Sequence, residues 1–583
     1  MDDIPQQEHL FPVAIDYRAK HTPDKVYAVL PKGTELEHGF FNLTYAAFAK
    51  AVDAMAWWLD QKLGAKAADR KFDQITAVPY IGPDDFRYVL IIIAAMKTGR
   101  VAMTPFPANT PEGLVHLLEL TKSDVVFATP SYKHVWSLPL AQKPEIPLIE
   151  VPDVGEFVHD GPVDPYVYGR TYSEGVDDPH VLIQTSGTTG TPKPIAMNNR
   201  LMEEYIGAVA SLSRKSPPTE KMAVYALLDD SYAPNLLPMS WAAALGMTIW
   251  LPMYSDKVPI MLPPESIPKP ITADYIKAIG KHGPRGERNG IVLVPDVLRH
   301  LVRDPEGRES LKAYEWVAYV GAPLDHETGD AVTAMGVRVQ SMIGSTDTGL
   351  YDILLNDPQD WKVHRFKDGL SGFYMEHFTG DLYELCTKRQ VDDPRHVFKL
   401  APDSTVFHTR DLWRSVPGRE GFWMNVGRVD DFVKLSSMTK FNAIAIESVI
   451  EANLVVAKCV VAGDSRPKSF ILVEPSLEIR PYDSTPAAEV VDRVWPSIEA
   501  ANKHLLPETR LTKELVIITQ PGKPILRTAK GTVSRRATLE MYEKKIEEAY
   551  ETAGYEAVPV LATGEVMAKT NVHSSGAANG HVW

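Results

Sequence analysis

Between residue 75 and about residue 345, short β-rich runs alternate with helical patterns, as expected of βα units assembled into a mainly parallel sheet. ITAV (Ile75 to Val78) precedes the helix-like DDFRYVLIIIAAMKTG, VAMT (Val101 to Thr104) precedes PEGLVHLLEL, and VVFA (Val125 to Ala128) closes a third unit. Further on, IVLV (Ile291 to Val294), WVAYV (Trp316 to Val320) and RVQSMI (Arg338 to Ile343) are strand candidates with helices between them. This alternation predicts an α/β fold. The longest apolar run, VLIIIAAM (Val89 to Met96), is too short to span a bilayer and reads as a buried helix. In AAFAKAVDAMAWWL apolar residues recur at helical spacing, so Trp57 and Trp58 are expected to pack inward.

The pattern changes twice further along. From about Trp361 to Asn425 short alternating strands with turns predict a small β-barrel-like subdomain or a distorted sheet, and residues from about 431 to 550 mix helices and strands in a compact α+β lobe. The expected division is a core over residues 1–429 with its β-rich part at 361–425, a C-terminal domain over 430–550, and a tail over 551–583. The end of that tail, Val566 to Trp583, is rich in Gly, Ser, Ala and Asn and reads as disordered. A length of 583 residues agrees with several domains or subdomains.

Directly after the apolar VLIQ comes TSGTTGTPKP, from Thr185 to Pro194. Gly187 and Gly190 let backbone N–H groups approach phosphate oxygens, Ser186, Thr188 and Thr189 add hydroxyl donors, and Lys193 adds a positive charge. The segment is therefore expected to grip polyphosphate. A Walker loop is excluded by spacing, because Gly190 is followed by Thr191, Pro192, Lys193 and Pro194 rather than by Lys and Ser or Thr. In IGSTDTG, Thr346 and Asp347 follow a predicted strand end, where a carboxylate can hold Mg²⁺ and a hydroxyl can touch phosphate. Asp411 in FHTRDLW can accept from both hydroxyls of a ribose, and Arg428 in GRVDDFVK offers a second contact.

Charge and cysteine content exclude other functions. A net charge of −14 without any Lys/Arg run argues against a nucleic-acid or anionic-membrane partner. Cys386 and Cys459 are far apart and have neither a CxxC nor a histidine at metal-ligand spacing, so neither a disulfide framework nor a zinc site is expected. The N-terminus MDDIPQQEHL lacks the regions of a signal peptide, and a reducing, cytoplasmic location is the expectation.

Together TSGTTGTPKP, GSTDTG, the pair HTRDLW and GRVDDFVK, and RTAKGTVSRR resemble the adenylate-forming superfamily of acyl-CoA synthetases, nonribosomal-peptide adenylation domains and luciferases. Within it the chain looks most like the adenylation domains of fungal nonribosomal-peptide-synthetase-like proteins and carboxylic acid reductases. The resemblance implies a two-step reaction: a carboxylate attacks the α-phosphate of ATP, giving an acyl adenylate and pyrophosphate, and a thiol then captures the acyl group. Carried over by position, Thr185, Ser186 to Gly190 and Lys193 would hold the phosphates, and Asp347 with Thr346 would orient Mg²⁺. Ser345 and Ala322 would contact the nucleotide, and Asp411 with Arg428 would hold the ribose. Lys530 would be the catalytic lysine bridging carboxylate and α-phosphate, and Asp430 the hinge about which the small lobe rotates. Tyr232, Ala233 and Asn235, with Gly321 and Gly344, would line the acyl pocket, and Asp229 with Ser231 reads either as a capped loop or as similar to the aspartate that binds an amino group in amino-acid-activating relatives.

Four positions depart from the family pattern. Asp347 stands where Glu is common, Arg410 where glycine usually precedes the ribose aspartate, and Ile343 where an aromatic ring often stacks on adenine. Lys530 then Gly531 inverts the commoner order, while Thr528 and Arg535 keep the register. The preferred acceptor is a carrier-protein phosphopantetheine, and since no carrier motif follows Lys530 the carrier is expected in trans or in a longer parent chain. Free CoA is the alternative. A noncatalytic nucleotide-binding regulator and luciferase-like oxygenation of the adenylate are further readings.

Overall fold

The computed structural model describes residues 4–65, 76–185, 192–228, 231–268, 271–282, 290–367, 369–437, 439–476, 486–503, 505–527 and 533–555. The first strands, β1 (Val26–Pro31) and β2 (Phe40–Thr44), form an antiparallel pair. Next come β3 (Thr76–Ile81), β4 (Arg100–Met103), β5 (Val126–Ala128), β6 (Leu148–Glu150), β7 (Pro179–Thr185) and β8 (Lys193–Asn198). They make one sheet in the order β6-β5-β3-β4-β7-β8, parallel throughout except for the antiparallel β7–β8 pair at its edge. Strands β9 (Tyr232–Asn235) and β10 (Val258–Met261) then join β1 in a second sheet, in the order β2-β1-β10-β9.

Burial explains the composition of these strands. A parallel sheet covered by helices on its faces needs strands that are apolar on both sides, and the middle of β3, all of β4 and most of β7 are buried. The helix Arg87–Lys97 contains the run VLIIIAAM, and every residue in it is buried. Its one lysine, Lys97, is neutralised by Asp53 at 2.6 Å and Asp16 at 2.8 Å, as a buried ammonium requires. The helix Tyr45–Leu63 packs beside it, capped by the Thr44 hydroxyl, which accepts from the Ala47 amide. Trp58 packs inward as expected, but Trp57 is 47% exposed. Its ring lies edge-on to Tyr166 and its indole N–H donates to the Asp164 carbonyl, because adjacent residues on a helix cannot share a face.

Strands β11 (Gly290–Leu293), β12 (Trp316–Tyr319) and β13 (Arg338–Ser341) form a three-stranded parallel sheet. A small hairpin of β14 (Gly344–Ser345) and β15 (Gly349–Leu350) follows. A Cβ at Gly344 would lie 2.5 Å from the Gly349 carbonyl oxygen and 2.8 Å from Leu350 Cα, so the hairpin closes this tightly only with glycine there.

The barrel-like region is an open five-stranded antiparallel sheet. Its strands are β16 (His364–Arg365), β17 (Phe373–Thr379), β18 (Leu382–Lys388), β19 (Val406–Ser415) and β20 (Phe422–Arg428), in the order β16-β20-β19-β18-β17. With only two residues, β16 is too short to close a barrel against β17, so both remain edges. Register shifts interrupt β17–β18, β18–β19 and β19–β20, and such bulges re-aim side chains near sites.

After a turn at Val429–Asp431, β21 (Phe432–Lys434) pairs with β22 (Lys440–Asn442), and β23 (Val456–Ala462), β24 (Phe470–Pro475) and β25 (Val516–Ile518) form a three-stranded sheet. The helices Ala443–Glu451, Ala487–Asn502 and Arg535–Thr552 cover it and bury two apolar clusters. The tail from Val566 lies outside the described residues. Among the described residues, no helix is long and apolar enough to cross a membrane.

Candidate functional site

The exit of β7 is fixed by a buried amide. Gln184 Oε1 accepts from the Phe106 amide at 3.1 Å and from Asn109 Nδ2 at 2.7 Å, while its Nε2 donates to Asn109 Oδ1 at 2.9 Å. The next residue, Thr185, sits directly opposite Lys193 across the β7–β8 ladder, with Lys193 exposed. Ser186, Gly187, Thr188, Thr189 and Gly190 lie outside the described residues, as do Asp229, Asp230 and Lys530. Gln184 begins the same motif, yet its positioning role is visible only from its distant partner Asn109.

At the β14–β15 hairpin, Ser345 Oγ lies 2.8 Å from Thr348 Oγ1 and accepts from the Thr348 amide at 3.1 Å. Thr346 and Asp347, both half-buried, are carried on the turn so formed. The chain continues into Tyr351, whose amide donates to the Ile343 carbonyl. Ile343 itself packs against the apolar cluster of Tyr351, Phe373 and Trp413.

Three segments converge on Asp411. This buried carboxylate on β19 is paired in register with Arg428 on β20, whose Nη1 donates to Oδ1 at 3.1 Å. The Tyr351 hydroxyl donates to Oδ2. The Asp411 amide donates to Thr409 Oγ1 at 3.1 Å, and that hydroxyl donates in turn to the Leu385 carbonyl at 2.6 Å. Burial first, and then the Asp411 charge, hold the Tyr351 phenol well above its ordinary value, so it stays protonated and acts as a donor. The structure thus joins the segment after GSTDTG to the Asp411–Arg428 pair. Tyr351 was missed in the sequence because nothing in its neighbours marks it.

Arg410 adopts φ +65°, in the left-handed region where glycine is favoured. That conformation is one a glycine, the residue expected here from the resemblance, would adopt without strain. The strained turn is held by Glu384, whose Oε1 accepts from the Arg410 amide at 2.9 Å. Asp430 lies in the Val429–Asp431 turn, where the Arg428 amide donates to Asp431 Oδ2 at 2.8 Å. Near the segment carrying Lys530, Arg535 is anchored by a two-pronged ion pair to Glu447, at 2.7 and 2.9 Å.

The expected pocket residues do not all face one space. Tyr232 and Ala233 are neighbours on β9 and so point to opposite sides of the sheet: Ala233 is packed in the large core and Tyr232 against a second cluster. Asn235 is buried and donates to the Leu237 carbonyl at 3.0 Å. Gly321, just past β12, has φ +92°, and a Cβ there would stand 3.8 Å from the Trp241 ring. Half-buried Ala322 follows it, whereas Gly344 is committed to the hairpin.

Magnesium is a hard ion that takes oxygen donors. The Asp347 carboxylate and the neighbouring Thr346 hydroxyl, both half-buried on the hairpin turn, are oxygen donors of that chemistry, whereas the Thr348 hydroxyl is taken by Ser345.

Residues 15–367 match the AMP-binding enzyme family, and residues 430–554 match the AMP-binding enzyme C-terminal domain. The chain belongs to the AMP-binding enzyme family. It is 28% identical over 572 residues to a carboxylic acid reductase of Neurospora crassa, covering 97% of this chain and 52% of that protein. Across the first curated relatives, the chain spans between 34% and 52% of their length. The fold is similar to the A domain of carboxylic acid reductase from Segniliparus rugosus in complex with AMP and a co-purified carboxylic acid, with a TM-score of 0.66, 14% identity, and coverage of 93% of this chain and 94% of that one. It is equally similar to the anthranilate CoA ligase AuaEII in complex with anthranoyl-AMP, with a TM-score of 0.66, 13% identity, and coverage of 93% and 98%.

Proposed function

We propose that the chain activates a carboxylic acid with ATP and then passes the acyl group to the phosphopantetheine thiol of a carrier protein. The observation that carries this reading is the convergence of Tyr351 and Arg428 on the buried carboxylate of Asp411. A carboxylate held this way, at the end of the family's motifs, is preorganised to accept from two ribose hydroxyls. Arg428 and Tyr351 fix its orientation, so nucleotide binding need not order it.

In the first half-reaction, a substrate carboxylate oxygen bonds to the α-phosphorus and the α–β phosphoanhydride bond breaks, with pyrophosphate leaving. Thr185, Lys193 and the segment Ser186 to Gly190 hold the departing phosphates, and Ser345 and Ala322 contact the nucleotide. Asp347 with Thr346 would hold Mg²⁺, which when bound would supply positive charge to the phosphates. Lys530 stabilises negative charge building on the α-phosphate oxygens, an interaction stronger in the transition state than in the ground state. In the second half-reaction the thiol attacks the acyl carbon and AMP leaves. A C-terminal domain over residues 430–550, turning at Asp430, exchanges Lys530 for the thiol between the two steps. Tyr232, Ala233, Asn235, Gly321 and Gly344 are assigned to the acyl side. Ala233 and Asn235 share one face of β9, and Tyr232 acts from the other side.

The test is exchange of labelled pyrophosphate into ATP across aliphatic, aryl, keto and amino acids. Acid-dependent exchange that falls on the order of 10²–10³ in Lys530→Ala supports the reading; silence with every acid, or exchange untouched by that substitution, overturns it. Rapid release of acyl-CoA when free CoA is added would replace the carrier protein by CoA as acceptor.

A further inference from the structure

The antiparallel sheet brings together a cluster that spacing along the chain had ruled out. Cys386 on β18 lies directly opposite His408 on β19, and Glu376 on β17 lies opposite Glu384 on β18. Cys386 Sγ is 3.3 Å from Glu376 Oε2 and 3.3 Å from His408 Nδ1, and the ligand atoms of these three residues all lie within 4.8 Å of one another. Glu384 Oε2 is 3.3 Å from the same imidazole nitrogen, while its other oxygen is taken by the Arg410 amide. We propose that Glu376, Cys386 and His408 form a zinc-binding site on the face of this sheet.

The donor set points to the metal. One sulfur, one imidazole nitrogen and one carboxylate suit a borderline-soft ion such as Zn²⁺ and not Mg²⁺ or Ca²⁺. Bonds of about 2.3 Å to sulfur and about 2.0 Å to nitrogen or oxygen place tetrahedral neighbours roughly 3.5 Å apart. The observed sulfur separations of 3.3 Å are already near that spacing, so the two contacts to sulfur need little rearrangement. Glu376 and Glu384 also face each other across the ladder, where like charges repel and a divalent cation relieves them. As the Zn–S bond forms, the thiol proton leaves to solvent. Because Glu376 and His408 are exposed, the fourth position opens to water, with Glu384 bordering it.

The site is independent of the proposed reaction, and its test uses metal alone. The full chain, stripped with chelator, is titrated with Zn²⁺ by calorimetry and with Co²⁺ by absorption. One equivalent should bind, and cobalt should give a thiolate-to-metal charge-transfer band with the strong visible bands of four-coordination. That band should vanish in Cys386→Ser and persist in Cys459→Ser. His408→Ala and Glu376→Gln, both at exposed positions, should each weaken zinc by more than about tenfold, a loss that even an outer-sphere partner can cause. These two variants decide the matter if Cys386→Ser does not fold. A cobalt spectrum without the thiolate band, or equal zinc affinity in the wild type and His408→Ala, overturns the site.

Discussion

In the six-stranded sheet, β3, β4 and β7 are almost wholly buried, whereas in the five-stranded sheet β17 and β20 consist largely of half-buried or exposed residues. The first sheet is held by apolar contact on both faces. The second has one apolar cluster around Phe373, Leu385 and Trp413, while its other positions are free to carry Asp411, Arg428, Glu376 and His408. Packing and chemistry are therefore divided between the sheets, and substitutions should separate the two roles.

The largest expected effect is in the buried sheet. Val181→Asp would place an unpaired charge in the middle of β7 and should cost about 4 kcal/mol or more, measured as the midpoint of urea unfolding. A near-wild-type midpoint would mean that this sheet is not the stability element described. In the antiparallel sheet, Asp411→Ala should instead act on the nucleotide. Losing two hydrogen bonds to a charged group, each worth about 1.5–3 kcal/mol, should raise the KM for ATP roughly 100-fold or more, while the unfolding midpoint moves less than in Val181→Asp. If the two variants lose stability equally, the division fails.

In one respect the sheets are alike, since each contains a buried neutral histidine. Burial lowers His180 on β7 to about 3 and His364 on β16 to about 4. His180 Nε2 accepts from the Trp250 indole at 2.8 Å, which requires the neutral ring. Both folded values lie below the unfolded value of about 6.5, so the stability present in full above that pH is lost as pH falls toward the folded values. Each ring contributes a slope of up to about 1.4 kcal/mol per pH unit in that window. His180→Gln should flatten the pH dependence of unfolding between about 6.5 and 4; an unchanged slope would show that this ring is not the titrating group. The smallest effect belongs to Glu376→Gln without metal. Removing one of two opposed carboxylates should shift the midpoint by within about 0.5 kcal/mol, toward greater stability.

The same division governs what could be read from the sequence. VLIIIAAM announced a buried helix because a fully covered element needs only apolarity, and runs such as VAMT and WVAYV marked strands to within a residue or two. Asp411 and Arg428 were visible through their motifs, and the structure pairs them. The exposure of Trp57, the choice between a closed barrel and an open sheet, the hydrogen bond from Tyr351 to Asp411 and the meeting of Cys386 with His408 were not legible. Apart from Trp57, whose exposure follows from its place on the helix, these depend on pairing between distant segments. In β18–β19 and β19–β20, register shifts decide which residues meet, and a bulge leaves little trace in local composition.

The β7–β8 edge of the buried sheet has a bearing on evolutionary change. Its two strands run antiparallel through register pairs from Pro179↔Asn198 to Thr185↔Lys193, so the ends of the glycine-rich segment are joined by the ladder whatever lies between them. Closing a loop whose ends are already fixed depends only weakly on length, about 0.6 kcal/mol per doubling. Chain-closure entropy therefore sets little limit on length between Thr185 and Lys193, and the limit comes instead from the phosphate-holding role proposed for Ser186 to Gly190 and Lys193. A slip of one residue in the strands on either side would turn every side chain to the wrong face. Natural variation in this region should thus spare both the spacing of the proposed phosphate segment and the phase of the flanking strands.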